Sequence, residues 1–306
     1  MKFLITGGAG FIGSHIAEEL VKTSKGEVII FDNLSVGKED NIPNKCTFIK
    51  GDITKEEQIK EAMKNVVIVF HNAAFVTIRG SFNKENLKDE IDVNCTGTLN
   101  VLNAAAENRA KKIIFASSMA VYGEPEGVMV KETDRVLPWS PYGLSKLRGE
   151  IYCKIFMELY GMDYVILRYF NTFGVRQTPS PYVGVTTTFI KQALEGKPLT
   201  ICGDGKQTRD FVSVKDIAKA NLLAAFSDIS GIFNIGSGKE TSINQIADRI
   251  IGILGGKKIS LDKPHGEISR ICADISSAKE KLGYTSTTSI LKELPTLIDW
   301  WKQRLN

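Results

Sequence analysis

The chain is poor in the features that mark metalloproteins, disulfide scaffolds, nucleic-acid binders and membrane proteins. Its five cysteines, Cys46, Cys95, Cys153, Cys202 and Cys272, are far apart, odd in number and without a CxxC pair, which argues against both a disulfide framework and a zinc site. The three histidines, His15, His71 and His265, are equally dispersed. No metal-ligand cluster is expected from them, and each reads as structural or solvated. No apolar run approaches the ~20 residues that span a bilayer, and Phe3 to Ile5 begins a strand rather than the apolar region of a signal peptide. A soluble, cytoplasmic protein without membrane contact is the expectation. Charge of one sign is scarce too: net charge is +4, from 39 Lys and Arg against 35 Asp and Glu. The basic residues are scattered among acidic ones, so composition gives nucleic-acid binding no support, although the mild excess suits an anionic substrate.

What is present is a long alternation of short apolar runs and amphipathic segments. With 306 residues the chain can form one large domain or two ordinary ones. Lys2 to Thr6, Val28 to Phe31, Thr47 to Lys50, Val66 to Phe70 and Lys112 to Phe115 read as strands, and Asp163 to Tyr169 as a further one. Helices are expected over Gly10 to Lys22, Lys55 to Lys64, about Lys84 to Asn108, and Pro141 to Tyr160. The fold class expected is therefore α/β: a Rossmann-type doubly wound parallel sheet covered on both faces. After about Asn171 the elements become shorter and more mixed, with Gly, Pro and Thr frequent from Gly174 to Val185. Residues 1–170 are expected to form this Rossmann-type domain, to which segments near 207–225 can return. Residues 171–306 are expected to form a smaller mixed α/β substrate domain, with helices near Thr187 to Glu195, Val214 to Phe226, Ser242 to Ile253 and Ile290 to Leu305.

Two motifs carry chemistry. Gly7, Gly10 and Gly13 follow a predicted strand and open a predicted helix. Glycines so placed permit a tight turn, let backbone N–H groups approach a pyrophosphate and allow close helix–sheet packing. Asp32 lies about twenty residues on, at the end of the second strand, where its carboxylate can accept from adenosine ribose hydroxyls and would repel a 2′-phosphate; NAD is favoured over NADP. The second motif is Tyr142 and Lys146. Residues four apart share one helix face, so hydroxyl and ammonium can be aimed at one point. Tyr titrates near ~10 in model peptides, and a neighbouring cation shifts it toward the range useful to a general base.

With these motifs the chain resembles the extended short-chain dehydrogenase/reductase superfamily, and within it nucleotide-sugar epimerases of the UDP-glucose 4-epimerase type. Further landmarks are Asp32-Asn33-Leu34-Ser35, Gly51-Asp52-Ile53, His71-Asn72-Ala73-Ala74, Asn94 to Thr98, Ser117-Ser118 before Val121-Tyr122-Gly123, Arg168 to Asn171, Arg209-Asp210-Phe211 and Ala273-Asp274. The resemblance implies catalytic roles for Ser118, Tyr142 and Lys146, with Ser118 holding the reacting hydroxyl and Lys146 bonding the nicotinamide ribose while lowering the Tyr142 pKa. It implies cofactor contacts from Gly7, Gly10, Phe11, Ile12, Gly13, Asp32, Asn33, Asp52, Ile53, Ala73, Ala74, Asn94 and Tyr169. Asp52 and Ile53 would flank the adenine. Asn94, Asn171 and Arg209 match residues of the substrate side, Arg209 facing the diphosphate.

The family chemistry begins with Tyr142 taking the proton of the sugar C4 hydroxyl as hydride passes to NAD⁺, giving a 4-keto sugar. Dehydratases and decarboxylases of the superfamily carry a Glu immediately before the Val-Tyr-Gly segment, and 4,6-dehydratases add an Asp. Met119 and Ala120 stand there instead, and neither can move a proton. Return of hydride to the opposite face remains, hence epimerisation at C4 of a UDP-hexose, with UDP-glucose and UDP-galactose as the pair. UDP-N-acetylhexosamines stay open because Ile271, where relatives gate a 2-N-acetyl group, is of moderate size. UDP-glucuronate stays open through Arg79 or Arg176. Pro264 stands where the family often has a diphosphate Arg, leaving Lys263 or Arg270 to compensate. A non-catalytic NAD-binding sensor is the rival of another class. Relatives commonly dimerise through the helix near Lys84 and the one containing Tyr142, so a homodimer is expected.

Overall fold

A computed structural model describes residues 1–76, 84–178, 184–262 and 268–305. The strands, in chain order, are β1 Lys2–Thr6, β2 Glu27–Asp32, β3 Thr47–Lys50, β4 Ile68–His71, β5 Lys112–Ser118, β6 Met129–Val130, β7 Asp163–Tyr169, β8 Asn171–Phe173, β9 Leu199–Cys202, β10 Thr208–Ser213, β11 Gly231–Ile235, β12 Glu240–Ser242, β13 Lys258–Leu261 and β14 Cys272–Ala273. The helices are α1 Phe11–Thr23, α2 Glu56–Ala62, α3 Lys84–Glu90, α4 Thr98–Glu107, α5 Pro141–Tyr160, α6 Val185–Leu194, α7 Val214–Phe226, α8 Ile243–Leu254, α9 Ser276–Leu282 and α10 Ile290–Leu305.

Seven strands form one parallel sheet in the order β11-β7-β5-β4-β1-β2-β3. The central strands are apolar on both faces, as a sheet covered by helices on each side requires. One face packs Phe3, Ile5, Ile30 and Phe70 under α1 and α7; the other packs Leu4, Ile29, Val69 and Ile113 under α2, α4 and α5. The order reverses between β1 and β4, and the carboxyl ends of those strands meet at that switch, the position where open α/β sheets bind ligands. A third core, containing Phe173, Phe189, Phe211, Ile246, Leu294 and Trp301, joins α6, α8 and α10 to β8 and β10.

Three features depart from the sequence reading. Gly231–Ile235, beyond the point where the composition shifts, pairs with β7 as the seventh strand. Its place is set by α7, which runs back along the sheet against α1 and brings the chain to the edge of β7. The strand from Lys112 continues to Ser118, extending past the apolar run because Ser117 and Ser118 still pair with Arg168 and Tyr169. The helix expected over Lys84 to Asn108 is one helical run, but it widens into a π-turn at Ile91–Gly97, a distortion that often marks functional sites.

Candidate active site

The glycine loop joins β1 to α1 at the switch point. Gly7 has φ +67°, and a Cβ there would lie 2.7 Å from the Ala73 backbone nitrogen; a Cβ on Gly13 would lie 2.3 Å from the Gly7 carbonyl oxygen. The loop, the first turn of α1 with Phe11 and Ile12, and the segment after β4 therefore pack backbone to backbone. Asp32 is buried at the end of β2, where its Oδ2 accepts from Ala9 N at 3.0 Å and its Oδ1 from Leu34 N at 2.8 Å. The carboxylate thus fixes the loop, and each oxygen keeps a lone pair for a ligand hydroxyl. Asn33 donates to Asp52 Oδ2 at 3.0 Å. Burial works against the Asp52 charge, but donation from Thr54 and Asn33 outweighs it and lowers its pKa. Ile53 is buried beside them.

The second wall is built on β5 and α5. Ser140 caps α5 by accepting from Gly143 N at 3.0 Å, Pro141 opens it, and Gly161 ends it in the left-handed conformation with φ 67°. That places Tyr142 and Lys146 on the face turned to β5, 7% and 4% exposed. Lys146 Nζ donates to Ala116 O at 2.8 Å and stands 5.9 Å from the centre of the Tyr142 ring. Ser118, at the end of β5, accepts from Ala120 N at 3.2 Å and has its hydroxyl against the Tyr142 phenol. Ser117 points to the other face, as strand alternation demands, and donates to Glu150 at 2.5 Å. The two adjacent serines are thereby separated: only Ser118 faces Tyr142.

Electrostatics here differ from the expectation that Lys146 lowers the Tyr142 pKa. Burial pushes the Tyr142 phenol up to about 12, against the contact from Ser118, with Glu90 adding to the rise. Burial also brings Lys146 down to about 8, Glu90 opposing. Burial raises the cost of charging either group, yet at neutral pH these values leave Tyr142 a phenol and Lys146 an ammonium.

Beneath this wall Glu150 holds Arg168 by two bonds of 2.9 and 2.7 Å, and Arg168 donates to Tyr122 OH at 3.0 Å. Tyr122 in turn donates to Asn234 at 2.6 Å. His71 bridges Thr6 and Thr98 at 2.7 and 2.9 Å, and burial drives its pKa down to about 3; it is a neutral structural histidine. Ala73 and Ala74 follow it along the cleft, half-buried.

Several expected site residues are committed elsewhere. Asn94, in the π-turn, exchanges two bonds with the Phe75 backbone at 2.8 and 2.9 Å and donates to Ser145 at 3.1 Å, which spends both of its N–H groups on clamping the cleft wall to α5. The Tyr169 hydroxyl bonds Asn221 of α7, so its phenol is turned into that helix. Arg176 pairs with Glu18 and Ser14 of α1. Arg79, Lys263 and Pro264 lie outside the described residues. Arg209 donates to the Thr208 carbonyl at 2.7 Å. Arg270 is exposed and bidentate to Glu240, at 2.9 and 2.5 Å. Because Arg270 bridges Thr208, and adjacent strand residues alternate, Arg209 and Arg270 face opposite ways. Ile271 is fully buried in the core.

Among the buried side-chain atoms without a hydrogen-bond partner in the described residues are both of the Asn72 amide, beside Ala73, and Oδ1 of Asn171 at the start of β8. Buried amides are rarely left so. With the glycine cradle and the Asp32 carboxylate, they fit a polar dinucleotide and its substrate. Asn72 was not among the residues expected at the site; its place directly after a buried strand was the available signal.

The family model for the NAD dependent epimerase/dehydratase family matches residues 3–236. The chain belongs to that family. It is 44% identical over 303 residues, 98% of both chains, to a protein of Methanocaldococcus jannaschii described as a putative UDP-glucose 4-epimerase. Among solved structures it resembles the UDP-N-acetylglucosamine 4-epimerase from Methanobrevibacter ruminantium in complex with UDP-N-acetylmuramic acid, with TM-score 0.93, 39% identity and coverage of 99% and 98%. It also resembles the UDP-glucose 4-epimerase of Thermotoga maritima with UDP-glucose, with TM-score 0.94, 34% identity and full coverage of both chains. The epimerase is thus an extended short-chain dehydrogenase/reductase with NAD as its cofactor.

Proposed function

We propose that the protein inverts C4 of a UDP-hexose, interconverting UDP-glucose and UDP-galactose through a 4-keto sugar. The observation that carries this reading is the closed wall of Ser118, Tyr142 and Lys146, followed by Met119 and Ala120 in a 3₁₀ turn that offers no second acid or base. Gly7, Gly10, Phe11, Ile12 and Gly13 hold the pyrophosphate, Asp32 and Asn33 the adenosine ribose, and Asp52 and Ile53 the adenine. Ala73, Ala74 and Asn72 line the rest of the cleft. Bound NAD supplies a reversible hydride acceptor. Ser118 orients the C4 hydroxyl, and Tyr142 takes its proton and later gives it back. Lys146 favours the phenolate once the site is charged. Asn171 meets the sugar and Arg209 the diphosphate.

A second reading, a UDP-N-acetylhexosamine as substrate, is favoured by the likeness to the Methanobrevibacter enzyme. For UDP-glucuronate the engagement of Arg176 by Glu18 removes one of the two cations available to its carboxylate. Incubating the purified protein with UDP-galactose, UDP-N-acetylglucosamine and UDP-glucuronate separately, with chromatographic analysis of products, tests the reading. UDP-galactose should be turned over fastest, and no turnover of any of the three would leave only the non-catalytic NAD-binding alternative.

Leu144, Ile151, Ile155 and Leu159 form an exposed apolar stripe along α5, 52%, 47%, 41% and 67% exposed, with Ile91 of the π-turn, 52% exposed, on the adjoining helical run. Such a patch marks an interface, and we assign it to a homodimer. Light scattering should give twice the chain mass for the natural protein and the monomer mass for Ile151→Glu/Ile155→Glu. The five cysteines are free, which suits the reducing cytoplasm.

A further inference from the structure

Gly174 to Gln177 carry the chain from the end of β8 over the start of α1. A Cβ on Gly174 would lie 2.4 Å from a Val214 methyl and 3.3 Å from the Phe11 ring, so the segment lies close upon the first turns of α7 and α1. Two residues on, Arg176 has φ +68°, the left-handed conformation that a residue with a Cβ rarely adopts. Its guanidinium pairs through Nη2 with Glu18 of α1 and donates through Nη1 to Ser14 Oγ at 3.3 Å. The next residue is fastened elsewhere. Gln177 is buried, donates to Thr172 O at 2.9 Å and accepts from Thr187 Oγ1 of α6 at 2.9 Å, while Val175 packs on the third core. The strained turn thus lets two adjacent side chains bond to two different bodies: α1, which opens from the glycine loop, and α6, which belongs to the third core.

We propose that Arg176 is a positioning residue, a clip that fastens the segment bearing Asn171 to the helix of the cofactor cradle and so sets the spacing between sugar and nicotinamide. The proposal rests on the epimerase reading for the identity of the two ligands. Asn171, with its unpartnered Oδ1, stands five residues before Arg176 in the same short segment. Ser14 and Glu18 are four apart on one face of α1, so the guanidinium spans a full helical turn with two nitrogens, a geometry that a single ammonium does not reproduce. The pair is partly shielded, with side chains 21% and 35% exposed, and so is set apart from fully solvated pairs, which contribute little. Hydride transfer is sensitive to such spacing, because a displacement of about 1 Å can cost on the order of 10²-fold in rate.

Arg176→Gln and Glu18→Gln each remove the ion pair. Each should lower kcat for UDP-galactose by on the order of 10–10²-fold, with KM changed less. The exchanged pair, Arg176→Glu with Glu18→Arg, should recover most of that loss, which a role in packing alone would not give. Hydrogen–deuterium exchange followed by mass spectrometry reads the clip without turnover: peptides covering Asn171 to Gln177 and Phe11 to Glu18 should exchange faster in both single variants and at the natural rate in the exchanged pair. Arg176→Lys keeps the charge and loses one of the two contacts; it should act in the same direction by less, and serves if Arg176→Gln does not fold. Natural kcat together with natural exchange in both peptides of the single variants would overturn the proposal. Failure of the natural protein to epimerise UDP-galactose would instead remove the function proposed above, while the exchange measurement still decides whether Arg176 fastens the segment to α1.

Discussion

Two arginine–glutamate pairs in this protein have almost the same geometry and opposite surroundings. Arg168 and Glu150, under the wall of Ser118 and Tyr142, have side chains 3% and 1% exposed; Arg270 and Glu240, beside Thr208, are 56% and 24% exposed. Both are bidentate. The buried pair also reaches Ser117 and Tyr122, so it ties β5, α5 and β7 together and fixes the strand end from which Ser118 projects. Among the described residues the exposed pair adds a bond from Thr208. In water its attraction is screened, and pairs of this kind contribute little. The comparison teaches that the wall under Ser118 is built in advance from desolvated, mutually satisfied groups, whereas the Arg270–Glu240 contact lies in solvent, where a charged ligand can replace it.

The difference between the halves can be broken at several points. Tyr142→Phe should lower turnover by roughly 10²–10⁴ while NAD stays bound, because the wall persists and only its proton carrier is lost; full retention of rate would remove Tyr142 from the mechanism. Glu150→Gln should cost on the order of 3 kcal/mol in urea unfolding, since it strands a buried guanidinium. A loss below that of the exposed pair would erase the distinction. Acid should act on the buried half first. His71 has a folded pKa of about 3 against 6.5 unfolded, so the unfolded chain binds the extra proton, and stability present above about 6.5 is lost as pH falls toward 3. His71→Gln should flatten that slope in unfolding measured across the window. The smallest effect belongs to Glu240→Gln, under about 1 kcal/mol by the same unfolding assay.

Much of the catalytic half is legible in the sequence because its signals are local. Ser140-Pro141 and Gly161 delimit α5 as a cap, a first-turn proline and a left-handed stop, and the Gly7 to Gly13 loop sits between a strand and a helix as its spacing demands. The seventh strand was not legible, because Gly231–Ile235 owes its place to a pairing with β7 more than sixty residues away. The π-turn was hidden inside a continuous helical pattern. Glu90 follows the exposed Lys88 and Asp89 in one charged run, and only the packing of that run against α5 buries it. Arg270 and Asn94 show the converse, residue types suited to a ligand whose donors the fold has already engaged.

The central claim is that this site performs a reversible oxidation at C4 and nothing further. It is tested most directly by supplying the purified protein with UDP-galactose and no added reductant or oxidant, following sugar products and nicotinamide absorbance together. The account predicts UDP-glucose at equilibrium with UDP-galactose and no net build-up of reduced cofactor. Reduced nicotinamide accumulating in step with sugar consumed would contradict it and make the protein a dehydrogenase.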